Sequence, residues 1–246
     1  MFFSQQVRQG VLGLPVVAGG DTDPYFSSVK LLLHGEGTNG GVTITDSSSN
    51  GYSPTFIDEA TTSTTQFKFG SSSISFPGTN LGNNYLVWAG TAGDFTVQNT
   101  SFTVEAWVRF NSVANTPHIF QMGQTTGRNV LYLNGGLLRL YVDGQGDARI
   151  QGTASISINT WYHIALCNNY GANNSVKLFV NGTQDGSTYT GNLNAAGTNT
   201  FAIANPYYNA DSGNSLNGYY DEIRYTKNVA RYTSNFTAPT AAFPDA

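Results

Sequence analysis

The sequence predicts an all-β protein, a two-sheet antiparallel sandwich of jelly-roll type behind an extended N-terminal arm. Short segments rich in Val, Ile, Leu, Phe and Tyr recur along most of the 246 residues, and the clearest of them alternates apolar and polar positions. Turn residues separate them, 28 glycines among these. No window sustains the 3.6-residue period of an amphipathic helix. Many short strands at this spacing make a sandwich or jelly roll, and the length suits one domain with a full core.

Residues 1–28 carry neither period and are broken by Gly10, Gly13, Pro15, Gly19, Gly20 and Pro24. They read as an arm whose apolar side chains (Phe2, Phe3, Val11, Leu12, Leu14, Val16 and Val17) either grip neighbouring subunits or strap across the chain's own sandwich. The domain occupies 29–246. Residues 29–34, apolar but for Lys30 and His34, read as a strand covered on both sides. In 101–110, Phe102, Val104, Ala106, Val108 and Phe110 face one way, and Thr103, Glu105, Trp107 and Arg109 the other. Residues 130–133, 137–142 and 147–151 read as a meander, turned at Asn134-Gly135-Gly136 and Asp143-Gly144. Strands at 161–167 and 176–180 follow. Asn181-Gly182 then signals a hairpin, because both central positions of a type I′ turn need positive φ. Strands at 201–204 and 219–226 complete the series. No repeat and no linker divides the domain.

Composition narrows the function. A net charge of −4, an isoelectric point near 5.2 and only 11% charged residues argue against nucleic acid, which needs a basic stripe. Arg224, Lys227 and Arg231 read as solvated strand and loop positions. Surface polarity must come from hydroxyls and amides, which suit sugars or a packed protein neighbour better than phosphate. Cys167 is the single cysteine, so no intrachain disulfide forms; its apolar run makes it a small buried hydrophobe. No stretch approaches the ~18 apolar residues of a membrane span. The apolar residues 11–18 are too short and broken for a secretion signal, so synthesis is expected in the cytosol.

Seven segments occur in order: 28–34 (SVKLLLH), 46–51 (DSSSNG), 69–78 (FGSSSISFPG), 102–110 (FTVEAWVRF), 161–166 (WYHIAL), 176–182 (VKLFVNG) and 217–226 (NGYYDEIRYT). Together they resemble the laminin-G-like, concanavalin A-like jelly-roll family over residues 28–243. The ending 229–236 with Ala238-Pro239 (VARYTSNF…AP) is similar to the version common in virion proteins of tailed bacteriophages. The resemblance implies a rigid scaffold used to bind carbohydrate or protein; the fold by itself names no ligand. Physically the motifs are structural. Trp107 and Trp161 supply buried area, and Tyr225 and Phe236 are expected to seal an edge.

The chemistry-bearing residues are few. There are four glutamates, Glu36, Glu59, Glu105 and Glu222. A glycan-cleaving jelly roll needs paired carboxylates on one strand face. Glu105 has Thr103 and Trp107 as same-face neighbours, and Asp221 and Glu222, being adjacent, are expected on opposite faces. His163 reads as a structural histidine, and no two histidines have metal-ligand spacing. The chain is therefore not expected to be an enzyme. The loop 46–51 offers several oxygens on a tight turn, as calcium requires. The resemblance implies a structural Ca2+ held by Asp46, Asn50 and Asp221, although Ser49 replaces the usual glycine; the alternative is an Asx turn at Asp46. Trp88, Tyr132, Tyr141, Tyr207, Tyr208 and Tyr219 could stack on sugars, with Tyr207 and Tyr208 the best placed in their loop. The leading expectation is a structural virion protein, a capsid decoration or cement protein anchored through its arm to capsid or tail proteins in a symmetric or homo-oligomeric assembly. The alternative is a tail-fibre adhesin that recognises host-surface glycans, and a third is a secreted lectin-like module.

Overall fold

The computed structural model describes residues 22–78, 84–91, 93–114, 116–123, 127–171, 174–193, 200–204 and 215–246. The apolar arm residues named above, with Tyr207 and Tyr208, lie outside them. After a 3-10 turn (Phe26–Ser28) come β1 (Val29–Leu33), β2 (Thr55–Ile57), β3 (Thr61–Ser63), β4 (Ser73–Pro77), β5 (Tyr85–Ala89), β6 (Phe102–Phe110), β7 (His118–Met122) and β8 (Asn129–Asn134). They continue with β9 (Leu137–Val142), β10 (Gly146–Gln151), β11 (Trp161–Asn168), β12 (Val176–Val180), β13 (Thr183–Gln184), β14 (Thr200–Ile203) and β15 (Asn217–Lys227). An eight-stranded sheet runs β13-β12-β11-β6-β15-β4-β3, with β1 also on β15, and a seven-stranded sheet runs β10-β9-β8-β7-β14-β5-β2. The pairings are antiparallel and link elements far apart in the chain, so the molecule is a two-sheet jelly-roll sandwich.

The core lies between the inner faces. The alternating set of β6 points into it, and Trp88, Phe95, Phe120, Phe201 and Tyr225 fill its centre as a chain of ring contacts. Burying each such side chain contributes about 1.5–3 kcal/mol. Tyr220 crosses from one sheet to the other, its hydroxyl donating to the Ile119 carbonyl at 2.9 Å. Asn181 and Gly182 have φ of 50° and 80°, the turn geometry their dipeptide predicts.

Three features differ from the sequence reading. Strands β2, β3, β4, β5, β7 and β13 are absent from the sequence reading: β2, β3 and β13 span three residues or fewer and form by pairing with neighbours, whereas β5 (YLVWA) and β7 (HIFQM) carry apolar runs that could have announced them. Residues 23–28 belong to the sandwich rather than to the arm: Asp23 is 6% exposed and paired to Arg224 and Arg231, and Phe26 packs on Val29, Leu32 and Phe243. Tyr225 is a core residue and Phe236 lies on an outer face, so neither seals an edge.

The outer face of the eight-stranded sheet is covered by the chain's own C-terminal tail. Tyr232 and Phe236 stack at 3.5 Å and pack on Ala165, Cys167 and Phe179. The Phe236 N–H donates to the Gly182 carbonyl at 2.9 Å, and Lys177 Nζ donates to the Thr233 carbonyl at 2.6 Å. The end of the tail meets the start of the described chain, where the Asp23 N–H donates to the Ala246 carbonyl at 2.5 Å.

Candidate functional site

Ionisable groups concentrate beneath that tail. Glu105 is fully buried on the outer face of β6. Its Oε1 accepts from Arg224 Nε at 2.9 Å, while its Oε2 accepts from the Tyr232 hydroxyl at 2.8 Å and meets His163 Nε2 at 3.1 Å. Burial alone would raise its pKa; the Arg224 charge and the His163 and Arg231 contacts outweigh it and hold the carboxylate well below its usual range. Asp23 takes a two-pronged ion pair from Arg231 at 3.0 and 2.6 Å and a further contact from Arg224 at 3.2 Å. Arg224 also stacks on Phe243, 3.8 Å from the ring centre. Arg224 and Arg231 are thus buried clamp residues, not solvated ones; Lys227 is half-buried and donates to Thr96. The cluster pairs Glu105 and Asp23 with Arg224 and Arg231 and lies buried. Cys167 beside it is buried, and burial pushes its thiol up to about 12.

The expected opposition of Asp221 and Glu222 does not hold. Asp221 faces Trp107 and Arg224 faces Glu105, so β15 spends three steps where β6 spends two. Glu222 absorbs the extra residue with φ 50°, a bulge that leaves both carboxylates on the outer face. Neither is open to a sugar. Asp221 Oδ2 accepts the Lys68 and Phe69 N–H groups at 2.7 and 3.1 Å, and its Oδ1 the Glu222 N–H at 2.9 Å. Desolvation raises the Asp221 pKa to about 7, with Glu222 adding to it against the three N–H donors. Glu222 contacts His34 Nδ1 at 2.9 Å and accepts the Phe243 N–H at 2.7 Å, and His34 Nε2 reaches Asp245 at 2.7 Å. This acid–histidine–acid chain fastens the tail rather than facing a cleft.

The calcium residues separate into two structural devices. Asp46 Oδ1 accepts from the Leu32 and Ser48 N–H groups, both at 2.9 Å, and Oδ2 from the Ser48 hydroxyl and Tyr52 N–H at 2.9 and 2.8 Å. Asn50 Nδ2 donates to the Val29 and Lys30 carbonyls at 3.1 and 3.2 Å. The loop is an Asx turn that covers the free edge of β1. With four donors on Asp46 and three on Asp221, this donor set does not fit Ca2+, and among the described residues no three His, Cys, Asp or Glu side chains gather as metal ligands.

Among the described residues, the opposite outer face, on the seven-stranded sheet, carries an open cleft. A cleft of about 280 Å³ is lined by Thr116, His118, Arg128, Val130, Tyr132, Tyr141 and Asp147. Register builds it: Gln121, Val130 and Tyr141 lie in one cross-strand row, and His118, Tyr132 and Arg139 in the next. The Tyr132 hydroxyl donates to Asp147, and the Tyr141 hydroxyl to Asp143 at 2.9 Å, so both rings are held by their tips. His118 packs beside Tyr132 with ring centres 6.3 Å apart, and the Arg128 guanidinium lies 5.1 Å from the Tyr141 ring centre. Tyr132 is buried, so the floor offers a sugar the half-buried Tyr141 ring, with the exposed Asp147 as a polar edge for its hydroxyls. His118 and Asp147 share this cleft, but Asp147 Oδ1 already accepts the Tyr132 hydroxyl and the Ala148 N–H, the latter at 2.6 Å. Of the other aromatic candidates, Trp88 is core and Tyr219 lies beside Arg109 on the opposite sheet. Sequence reading named Tyr132 and Tyr141 without ranking them; their shared face becomes visible only through the register of β8 and β9.

A family model for the concanavalin A-like lectin/glucanases superfamily, Laminin_G_3, matches residues 80–230. The chain belongs to this superfamily. Solved structures agree in fold. The binding domain of Paraclostridial Mosquitocidal Protein 1 superposes with a TM-score of 0.62 at 15% identity, over 85% of this chain and 50% of that one. Domain 4 of AbnA, an extracellular GH43 arabinanase from Geobacillus stearothermophilus solved with arabinotriose, gives 0.59 at 16% identity, over 82% and 95%. A structure of botulinum neurotoxin type C, whose cell entry depends on interaction with two ganglioside molecules, gives 0.59 at 12% identity, over 82% and 48%. The chain thus spans about half the length of the toxin structures it matches. No curated protein sequence matches it. Among the described residues no helix is long and apolar enough to cross a membrane.

Proposed function

We propose that this superfamily member is a non-catalytic glycan-binding module whose ligand lies in the cleft over β7–β9. The observation that carries this is the pair of tip-anchored tyrosines, Tyr132 and Tyr141, flanked by His118, Arg128 and Asp147 on an outer face that the tail leaves uncovered. The lectin-like fold supports a binding role, as do the complex of the arabinanase domain with arabinotriose and the dependence of the neurotoxin on gangliosides. The capsid-decoration reading depends on arm residues outside the described structure, and it gains no support from these likenesses. Glycan recognition is therefore the better-supported function.

A glycan array with the full chain tests it. Binding that Tyr141→Ala abolishes while the melting temperature is retained is the expected result, and an array without a hit counts against it. Release of reducing sugar that stops in Asp147→Asn would instead make the chain an enzyme.

A further inference from the structure

Building on the glycan-binding reading, we infer that the cleft takes the terminal unit of a neutral glycan, a hydroxyl of which donates to Asp147 Oδ2. Asp147 is exposed and lines the cleft. Its Oδ1 takes the Tyr132 hydroxyl and the Ala148 N–H, whereas its Oδ2 accepts nothing among the described residues. An ionised carboxylate oxygen is only an acceptor, so whatever meets it must donate, as a sugar hydroxyl does. Tyr132 fixes the carboxylate through Oδ1, and the half-buried Tyr141 ring lines the same cleft. One side chain thus supplies apolar contact and the other a free acceptor.

The cations of the same meander are already engaged. Arg128 stands over the Tyr141 ring and acts on Asp143. Arg139, the cross-strand partner of Tyr132, acts on that residue's hydroxyl, and Arg149 donates to the Asp147 carbonyl at 3.0 Å. A sugar carboxylate would therefore bring its charge to the free oxygen of Asp147, a like-charge contact that costs affinity. A sugar ammonium is disfavoured for the opposite reason, because residues 127–151 carry three arginines against two aspartates. A neutral sugar meets neither penalty. A volume of about 280 Å³ sits at the lower end of ligand pockets, which run from about 300 Å³ upward, and suits a chain end rather than a long polymer.

The test is titration calorimetry of the full chain with matched pairs: lactose against 3′-sialyllactose, methyl-esterified digalacturonate against the free acid, and diacetylchitobiose against its deacetylated form. The neutral member of a pair is expected to bind roughly tenfold more tightly at low salt, with the gap narrowing as salt rises. Asp147→Asn keeps an oxygen for the Tyr132 hydroxyl and puts a donor where Oδ2 stood. It should weaken neutral binding roughly tenfold and erase the gap over the acids, with melting curves showing that the variant folds. A charged member that binds as tightly as its neutral partner, or a folded variant that keeps the gap over the acids, overturns the neutral class while glycan binding stands. If neither the array nor any of these saccharides shows binding, both fall.

Discussion

Glu105 shows how far a residue's role can lie from its local sequence. Its strand neighbours offer no charge, and its partners Arg224, Arg231 and Tyr232 arrive from more than a hundred residues away. Removing one partner from such a buried set leaves an uncompensated charge, so Glu105→Ala is expected to cost about 3–5 kcal/mol, read from chemical denaturation. The pH dependences of two buried acids oppose each other. Glu105 is held below its usual 4.5, so its stabilisation is present above that pH and is lost as pH falls through the acid range. Asp221 is raised from 3.8 to about 7, so the folded state keeps a proton that the unfolded state releases, and its contribution is lost as pH rises across that window. The stability of the native chain relative to Asp221→Asn should therefore decline between pH 4 and 7, and melting curves that stay parallel would refute this. Tyr225 offers a third case. Its buried hydroxyl makes no hydrogen bond, so Tyr225→Phe is expected to leave stability unchanged or raise it by up to ~1 kcal/mol.

At the scale of elements, the tail and the bulge in β15 do most to separate this molecule from a bare sandwich. The sequence of β6, alternating from Phe102 to Phe110, was legible because one inward face imposes period two. The outward positions of β15 were not, because a single residue with positive φ shifts the alternation, and nothing about Glu222 in isolation announces it. The tail depends on a glycine. A Cβ on Gly182 would lie 2.0 Å from the Phe236 carbonyl, at φ +80°, so Gly182→Ala should displace the tail and cost at least ~1 kcal/mol, seen as faster hydrogen exchange over residues 229–246. His34 fastens the other end. Burial would lower its pKa, but Glu222 and Asp245 raise it from 6.5 to about 9. The clasp is thus complete below pH 6.5 and weakens as pH rises towards 9, and His34→Gln should flatten that alkaline loss in a melting series.

For the whole molecule, the division of labour is between two outer faces, one covered by the chain's own tail and one that carries the cleft lined by Tyr132 and Tyr141. The carboxylates singled out for calcium serve as acceptors of N–H groups, so melting temperatures should agree between EDTA and millimolar calcium, and a calcium-dependent rise would reverse that reading. The sequence by itself determined the sandwich, the strand periods, the Asn181-Gly182 turn and the buried Cys167, because these follow from side-chain size, polarity and backbone preference within a few residues. Only the tertiary structure decided which arginines are buried, which face the tail covers and which two tyrosines share a cleft. Those outcomes depend on strand register and on contacts between distant segments, and a pleated strand carries no local record of its neighbour.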